Sequence, residues 1–301
     1  MDEGSTHASL PYTLDAVDTN EVEAVAQAVF ELETGLYPEA DWAYTRRVFA
    51  AVATMFDGGF PGYQAMDTVY HDLEHTLQAT LCWARMVSRH QETTARPHVD
   101  HAYFRIGLHA VLLHDIGYLK ENHDEIGSGA KFTFVHERRS CELAQMLLGE
   151  NEWSQKEIFA VQHLISCTGP RSVIDAIPFR TRQERLLGQI VCTADYLGQM
   201  SDPGYPRKLP VLFAEFEESD DFRGVPKERR LFANVHELLE KTPAFWRNVV
   251  LPKLDRDCGG MYRYLAEPFP DGPNPYLLTV EHNLTEIAEM HASGMFLRKA
   301  V

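Results

Sequence analysis

Apolar residues recur along most of the chain at the three- to four-residue spacing of amphipathic helices, and the strict alternation typical of strands is almost absent. The pattern predicts helices over Val22–Phe30, Trp42–Phe56, Asp72–Arg89, Tyr103–Ile116, Glu137–Leu148, Gln155–Ser166, Glu184–Gln199, Leu209–Glu218, Glu228–Leu239, Trp246–Asp255 and Thr279–His291. Glycine and proline clusters, such as Pro203-Gly204-Tyr205-Pro206, separate these segments. We therefore expect an all-α fold.

The distribution of these segments predicts three regions. Residues 1–20 are polar and acidic, lack the features of a secretory signal, and are expected to form a flexible tail. Residues 21–202 are expected to form a helical catalytic core. Residues 203–301 are expected to form a helical C-terminal extension packed on that core.

The amino-acid composition limits the classes of molecule that the protein is expected to bind. The 301 residues carry 28 basic and 44 acidic side chains, a net charge of −16 that disfavours nucleic-acid polymers and anionic membranes. No apolar run approaches the ~18 residues of a transmembrane helix. The five cysteines are widely spaced and form no CxxC pair, so reduced thiols and a cytoplasmic location are expected.

Histidine and aspartate residues occupy unusual positions in the predicted helices. His71 and His75 lie four residues apart, on one face at the start of a helix. His114 and Asp115 end the apolar helix over Tyr103–Ile116, where a carboxylate is costly unless it is paired or binds a cation.

Three further residues complete the set. His136 starts the next helix, His163 lies within a helix, and Asp195 sits among apolar helical residues. This mixture of imidazoles and carboxylates suits Mn, Fe or Zn, with Mg and Ni as further candidates. Six candidate ligands exceed the needs of one tetrahedral zinc ion and fit two divalent ions bridged by an aspartate.

The ordered series His75, His114-Asp115, His136, His163, Asp195 resembles the H…HD…H…H…D signature of the HD-domain superfamily. The resemblance implies an all-α HD-type bundle with two metal ions at its centre. It further implies that Asp115 bridges the two ions. His75, His114 and Asp195 would complete one site, and His136 and His163 the other.

The segment Tyr70-His71-Asp72-Leu73-Glu74-His75 is similar to the YHNxxH motif of class I cyclic nucleotide phosphodiesterases. The run from Ala194 to Pro203, with Glu215-Phe216 downstream, resembles that family's ADLSNP…EEF stretch. The resemblance implies that His71 protonates the leaving oxygen and His75 binds metal. The expected function is hydrolysis of a nucleotide-type phosphate ester, cyclic nucleotides included, by a metal-bridging hydroxide held at Asp115.

A phosphate substrate also needs cations from the protein. Lys131 and Arg139 flank His136 close to a predicted helix start, where free backbone N–H groups also favour anions, and they are the expected substrate-binding residues. The expected substrate is a small phosphorylated molecule. The sequence leaves the oligomeric state open, including a homodimer.

Two other functions remain in competition. The run Leu73-Glu74-His75-Thr76-Leu77-Gln78-Ala79 also resembles HD-type mixed-valent diiron oxygenases, which act on an organophosphonate or polyol. The run after His163, Leu164-Ile165-Ser166-Cys167-Thr168, lacks the Ala-Lys-Arg type sequence of those enzymes. A non-catalytic nucleotide sensor is disfavoured because none of the six ligands is missing. Diester and monoester substrates both stay open.

Overall fold

The computed structural model describes residues 17–151 and 153–294. Its α-helices are Val22–Leu36 (α1), Trp42–Phe56 (α2), Leu73–Gln91 (α3), His101–Leu113 (α4), His136–Gly149 (α5), Gln155–Ile165 (α6), Arg182–Met200 (α7), Tyr205–Phe222 (α8), Val235–Phe245 (α9), Leu251–Arg256 (α10) and Pro275–Ser293 (α11). The described residues 17–151 and 153–294 form no strand, and Tyr63 pairs with Glu121 in an isolated β-bridge. The predicted all-α fold is confirmed.

Side-chain caps fix where several helices begin. The Asp72 carboxylate accepts a hydrogen bond from the backbone N–H of His75 at 2.8 Å, so α3 starts one residue after the predicted position. Ser154 and Glu157 form a reciprocal capping box at the start of α6. These caps satisfy N–H groups that have no partner within the helix.

The core of the bundle is built around α3 and α7, which pack along each other. Gly198 permits the close approach, because a Cβ at this position would come within 2.8 Å of backbone atoms of Ala79. Trp83 of α3 is fully buried and packs on Phe104 of α4, with ring centroids 4.9 Å apart. Side chains on α3 and α7 that face each other therefore lie in the protein interior.

The C-terminal helices pack against this core. α11 contacts α7, α8 and α9. The amide of Asn283 on α11 donates to the carbonyls of Met200 at 2.9 Å and Asp202 at 2.7 Å, across the predicted boundary at residue 202. The division into core and extension stays a prediction. Most of the predicted N-terminal tail, residues 1–16, lies outside the described residues.

Two C-terminal helix starts differ from the predicted ones. The helix predicted over Leu209–Glu218 begins at Tyr205, because Pro206 occupies the first turn, where its missing N–H costs no hydrogen bond. The helix predicted from Glu228 begins at Val235 instead, where Asn234 caps it by accepting from Glu237 N–H at 3.0 Å. Over the described ranges every helix is too short or too polar to cross a membrane.

Candidate metal centre

Four helices bring five of the six predicted ligands to one place in the interior. His75 lies in the first turn of α3, His114 and Asp115 directly follow α4, His136 starts α5, and Asp195 lies within α7. Each of these residues is buried. The convergence follows from the packing of α3 on both α4 and α7.

The tightest part of the cluster consists of His75, His114 and Asp195, each of which offers a ligand atom within 4.8 Å of the others. The Nε2 atoms of the two histidines are 3.3 Å apart. The Oδ1 atom of Asp195 lies 3.4 Å from His75 Nε2 and 3.6 Å from His114 Nε2. Three ligand atoms thus face a common point.

The Asp115 carboxylate lies between this group and His136. Its Oδ2 atom is 3.3 Å from Nε2 of both His75 and His114, and its Oδ1 atom is 3.4 Å from His136 Nε2. Oδ2 is buried and accepts no hydrogen bond of good geometry. A divalent cation satisfies a buried carboxylate oxygen of this kind.

Backbone carbonyls fix the orientation of two imidazoles. His114 Nδ1 donates to Val111 O at 2.7 Å, and His136 Nδ1 donates to Thr133 O at 2.8 Å. In the neutral ring the lone pair is therefore on Nε2, the atom that faces Asp115. Together with the unsatisfied Asp115 oxygen, this donor set fits a borderline divalent ion.

The charges of the cluster are strongly coupled. Burial alone would lower the pKa of His75, but the nearby carboxylates of Asp115 and Asp195 raise that pKa to about 9. Burial alone would raise the pKa of Asp115 and Asp195, but the neighbouring histidines, His114 first, hold both values well below the usual range. Without a metal ion, both carboxylates are ionised, and His75 and His114 are protonated at neutral pH.

His163 occupies a different position from the other predicted ligands. Its Nδ1 atom lies 3.7 Å from Glu184 Oε2, and its ring stands edge-on to Phe179. Nδ1 is buried without a hydrogen-bond partner. In the described part of the chain no ion pair or hydrogen bond joins His163 to the Asp115 cluster, so its role as a ligand stays a prediction.

His71 lies beside the cluster and is held by a carboxylate from α8. Its Nδ1 atom is 2.6 Å from Glu215 Oε2, while Glu215 Oε1 accepts from the backbone N–H of Tyr70 at 2.7 Å and Val69 at 3.0 Å. Burial alone would raise the pKa of Glu215, but the charge of His71 and these hydrogen bonds lower it. An anionic Glu215 therefore faces His71.

Tyr118 connects His71 with the cluster. Its buried ring stacks with the rings of both His71 and His136, and both centroid distances are 4.6 Å. The sequence reasoning missed Tyr118, which follows the His-Asp pair by only three residues. It also missed the contact of Glu215, because 144 residues separate that side chain from His71.

Two hydrogen bonds through Gln199 connect Tyr70, the residue before His71, with Asp195. The Tyr70 hydroxyl donates to Gln199 Oε1 at 2.9 Å, and Gln199 Nε2 donates to Asp195 Oδ1 at 3.2 Å. Gln199 lies one turn after Asp195 on α7. Gln199 therefore orients the Asp195 carboxylate, whose Oδ1 atom also faces His75 and His114.

The two predicted phosphate-binding cations have partners within the protein. Lys131 is buried, and its Nζ atom donates to Asp124 at 2.6 Å and to the carbonyl of Ile126. Arg139 donates to the carbonyls of Gly117 and Leu119, both at 2.7 Å. These bonds fix the loops around the cluster, and contact of either cation with substrate stays a prediction.

Comparison with known proteins gives a fold and a family. The chain is similar to the crystal structure of the phosphodiesterase domain of Salpingoeca rosetta rhodopsin phosphodiesterase, with a TM-score of 0.56 and 16% identity. The alignment covers 94% of this chain and 91% of that one, and at this identity it shows a shared fold. No curated protein matches the sequence significantly. A family model matches residues 45–262, and the chain therefore belongs to the Npun_R2479-like family.

Proposed function

We propose that this chain is a metal-dependent phosphohydrolase of the HD type that cleaves a phosphodiester of a nucleotide-type substrate. The observation that carries the proposal is the convergence of His75, His114 and Asp195 on Asp115, whose Oδ2 atom is buried without a hydrogen bond. The fold shared with a phosphodiesterase domain supports the same assignment.

The donor set suggests how the ions would be held. His75, His114, Asp115 and Asp195 would bind one ion, and His136 and His163 would bind a second that shares Asp115. Divalent ions polarise phosphoryl oxygens as Lewis acids. They also lower the pKa of bound water, so that a hydroxide nucleophile is available at neutral pH. The carbonyls of Val111 and Thr133 keep the imidazoles of His114 and His136 in the tautomer that binds metal.

His71 is the proposed proton donor. Its Nδ1 atom is engaged by Glu215, so Nε2 is the nitrogen that carries the transferable proton. The Glu215 carboxylate orients the ring through Nδ1, so that Nε2 would act as the general acid for an alkoxide leaving group. Stacking on Tyr118 holds the ring 6.0 Å, centroid to centroid, from both His75 and His136.

The test is hydrolysis of bis(p-nitrophenyl) phosphate and p-nitrophenyl phosphate by protein supplied with Mn, Fe or Zn. We expect metal-dependent cleavage of the diester, lost in Asp115→Asn and retained in Asp175→Asn. Asp175 is a suitable control because it is exposed and pairs with Arg185 on the surface.

Each alternative outcome has a distinct meaning. Preference for the monoester would move the assignment to a nucleotide monophosphatase. If a fully metal-loaded protein hydrolyses neither ester, the hydrolase proposal fails. Oxygen consumption by the iron-loaded protein would then support the diiron oxygenase.

A further inference from the structure

A large open cavity lies away from the candidate metal centre. It has a volume of about 900 Å³ and is lined by α2, α4, the end of α5 and the start of α6. Arg105, His109, Leu112 and Leu113 line it from one face of α4. His114 is nine residues after Arg105, about half a turn around the helix axis, so the metal centre lies on the opposite face.

Two arginines without carboxylate partners line this cavity. The Arg105 guanidinium lies 4.1 Å from the centre of the Tyr44 ring, and its Nε atom is buried without a hydrogen-bond partner. Arg47 lies 5.8 Å from the same ring. Among residues 17–151 and 153–294, no carboxylate forms an ion pair with either guanidinium, although the chain has 44 acidic side chains against 28 basic ones.

Two glutamates also line the cavity. The Glu157 carboxylate accepts hydrogen bonds from the backbone N–H and the hydroxyl of Ser154, at 2.8 and 2.6 Å. Glu150 is exposed to solvent directly after α5. Neither of these two carboxylates forms an ion pair with Arg47 or Arg105, so among the described residues both guanidiniums are free to pair with an anionic ligand.

The rest of the lining is aromatic and apolar. The rings of Trp153 and His109 meet edge to face, with centroids 4.5 Å apart, and Leu112 and Leu113 line the same cavity. His109 Nδ1 donates to the Arg105 carbonyl at 2.9 Å. Burial lowers the pKa of His109 to about 4, so the ring is neutral near pH 7 and its Nε2 is a hydrogen-bond acceptor.

We infer that this cavity is a second ligand site, which binds a small organic anion with a flat apolar body. The anionic group pairs with Arg105 and Arg47, whose planar guanidinium groups can donate two N–H hydrogen bonds to carboxylate, sulfonate or phosphate oxygens. The apolar body lies against Trp153 and the leucines. The volume is within the range of about 300–1,000 Å³ that is typical of small-molecule sites. The inference is independent of the reaction at the metal centre.

The test compares two fluorescent probes with the full chain. 8-Anilinonaphthalene-1-sulfonate carries the required charge, and N-phenyl-1-naphthylamine has the same rings without it. We expect saturable binding of the sulfonate, about tenfold tighter than that of the neutral probe, because one charged hydrogen-bonded pair is worth about that factor. Energy transfer from tryptophan to the bound sulfonate should fall in Trp153→Phe.

Arginine variants identify the site. Arg105→Met and Arg47→Met should each abolish the preference for the charged probe. Arg46→Met should retain it, because Arg46 neighbours Arg47 on α2 but is exposed and paired with Glu23 at 2.9 Å. Arg47 is also exposed, so Arg47→Met should not disturb the fold and still tests the site if Arg105→Met destabilises the protein.

Three results would overturn the inference. The first is binding that does not saturate, or equal affinity for the two probes. The second is equal behaviour of Arg47→Met and Arg46→Met. The third is displacement of the sulfonate by inorganic phosphate with no effect of Arg105→Met, which would assign the probe to the metal centre.

Discussion

Replacing Glu215 by glutamine removes the charge that faces His71 and preserves the shape of the side chain. The new amide oxygen can still accept the backbone N–H groups of Val69 and Tyr70. The amide N–H₂ would then face His71 Nδ1, the atom that lies 2.6 Å from Glu215 Oε2. An N–H donor would replace the charged acceptor, so the charged hydrogen bond to the His71 ring would be lost.

The size of the effect follows from that one contact. A hydrogen bond with a charged partner contributes about 1.5–3 kcal/mol. If it stabilises the acid form of His71 during proton transfer, its loss lowers kcat by about 10- to 150-fold. KM should change little, because Glu215 touches His71 and backbone rather than the cluster that would bind phosphate.

The assay uses two diesters that differ in leaving group. The nitrophenolate of bis(p-nitrophenyl) phosphate leaves without a proton, whereas the ribose oxygen of a nucleoside 3′,5′-cyclic monophosphate needs one. We expect Glu215→Gln to slow the cyclic nucleotide reaction and to spare the aryl diester. The matched control is Glu218→Gln on the same helix, where the carboxylate accepts from the Ser128 hydroxyl at 2.7 Å.

The reasoning is refuted if Glu215→Gln slows both diesters equally. It is also refuted if Glu218→Gln reproduces the dependence on leaving group. The first result would mean that Glu215 maintains the fold of the site, and the second that a change anywhere on α8 disturbs it.

Three further predictions concern the fold and the metal centre. Gly117→Ala should displace His136 and reduce metal binding, because its Cβ would come within 2.0 Å of the His136 carbonyl, whereas Gly149→Ala meets no atom within 4 Å and should leave metal stoichiometry unchanged. The pKa of His109 is about 4 when folded and about 6.5 when unfolded. Unfolding free energy should therefore fall by up to about 3 kcal/mol from pH 6.5 to 4, and His109→Gln should flatten that part of a denaturation series. Because the pKa values of His75 (about 9) and His114 are raised without metal, a bound ion must displace a proton from each, and apparent Zn affinity in chelator competition should rise by up to about a hundredfold per unit from pH 6 to 8.

The helices were predictable because their apolar periodicity reflects the side on which each is buried. Trp42–Phe56 and Gln155–Ile165 match the predicted segments within a residue. The start of α9 was not predictable from periodicity alone. Its first turn is set by the Asn234 side chain, and the polar residues before it fit a helix equally well.

The candidate site was predictable only in part, because sequence order identifies ligand types but not tertiary partners. His75, His114, Asp115, His136 and Asp195 lie together as the ordered series suggested. The Nδ1 atom of His163 lies 3.7 Å from Glu184 Oε2, and the role of His163 as a ligand stays a prediction. Lys131 and Arg139 are near His136 in sequence, but loop carbonyls and Asp124 engage their donors, and no local pattern encodes those partners.

The energetics of the cluster themselves argue for a binding role. Asp115 and Asp195 are buried beside three imidazoles in the interior, where each ionised group loses several kcal/mol of hydration. Replacing buried ionic groups by apolar side chains of similar volume is often neutral or stabilising, so such a cluster is a poor means of stabilising a helical bundle. The surrounding core already supplies apolar contacts, including the packing of Trp83 on Phe104. The carboxylates are therefore best explained by a cation that they bind, and the burial of Glu215 against His71 is consistent with the proton transfer proposed for His71.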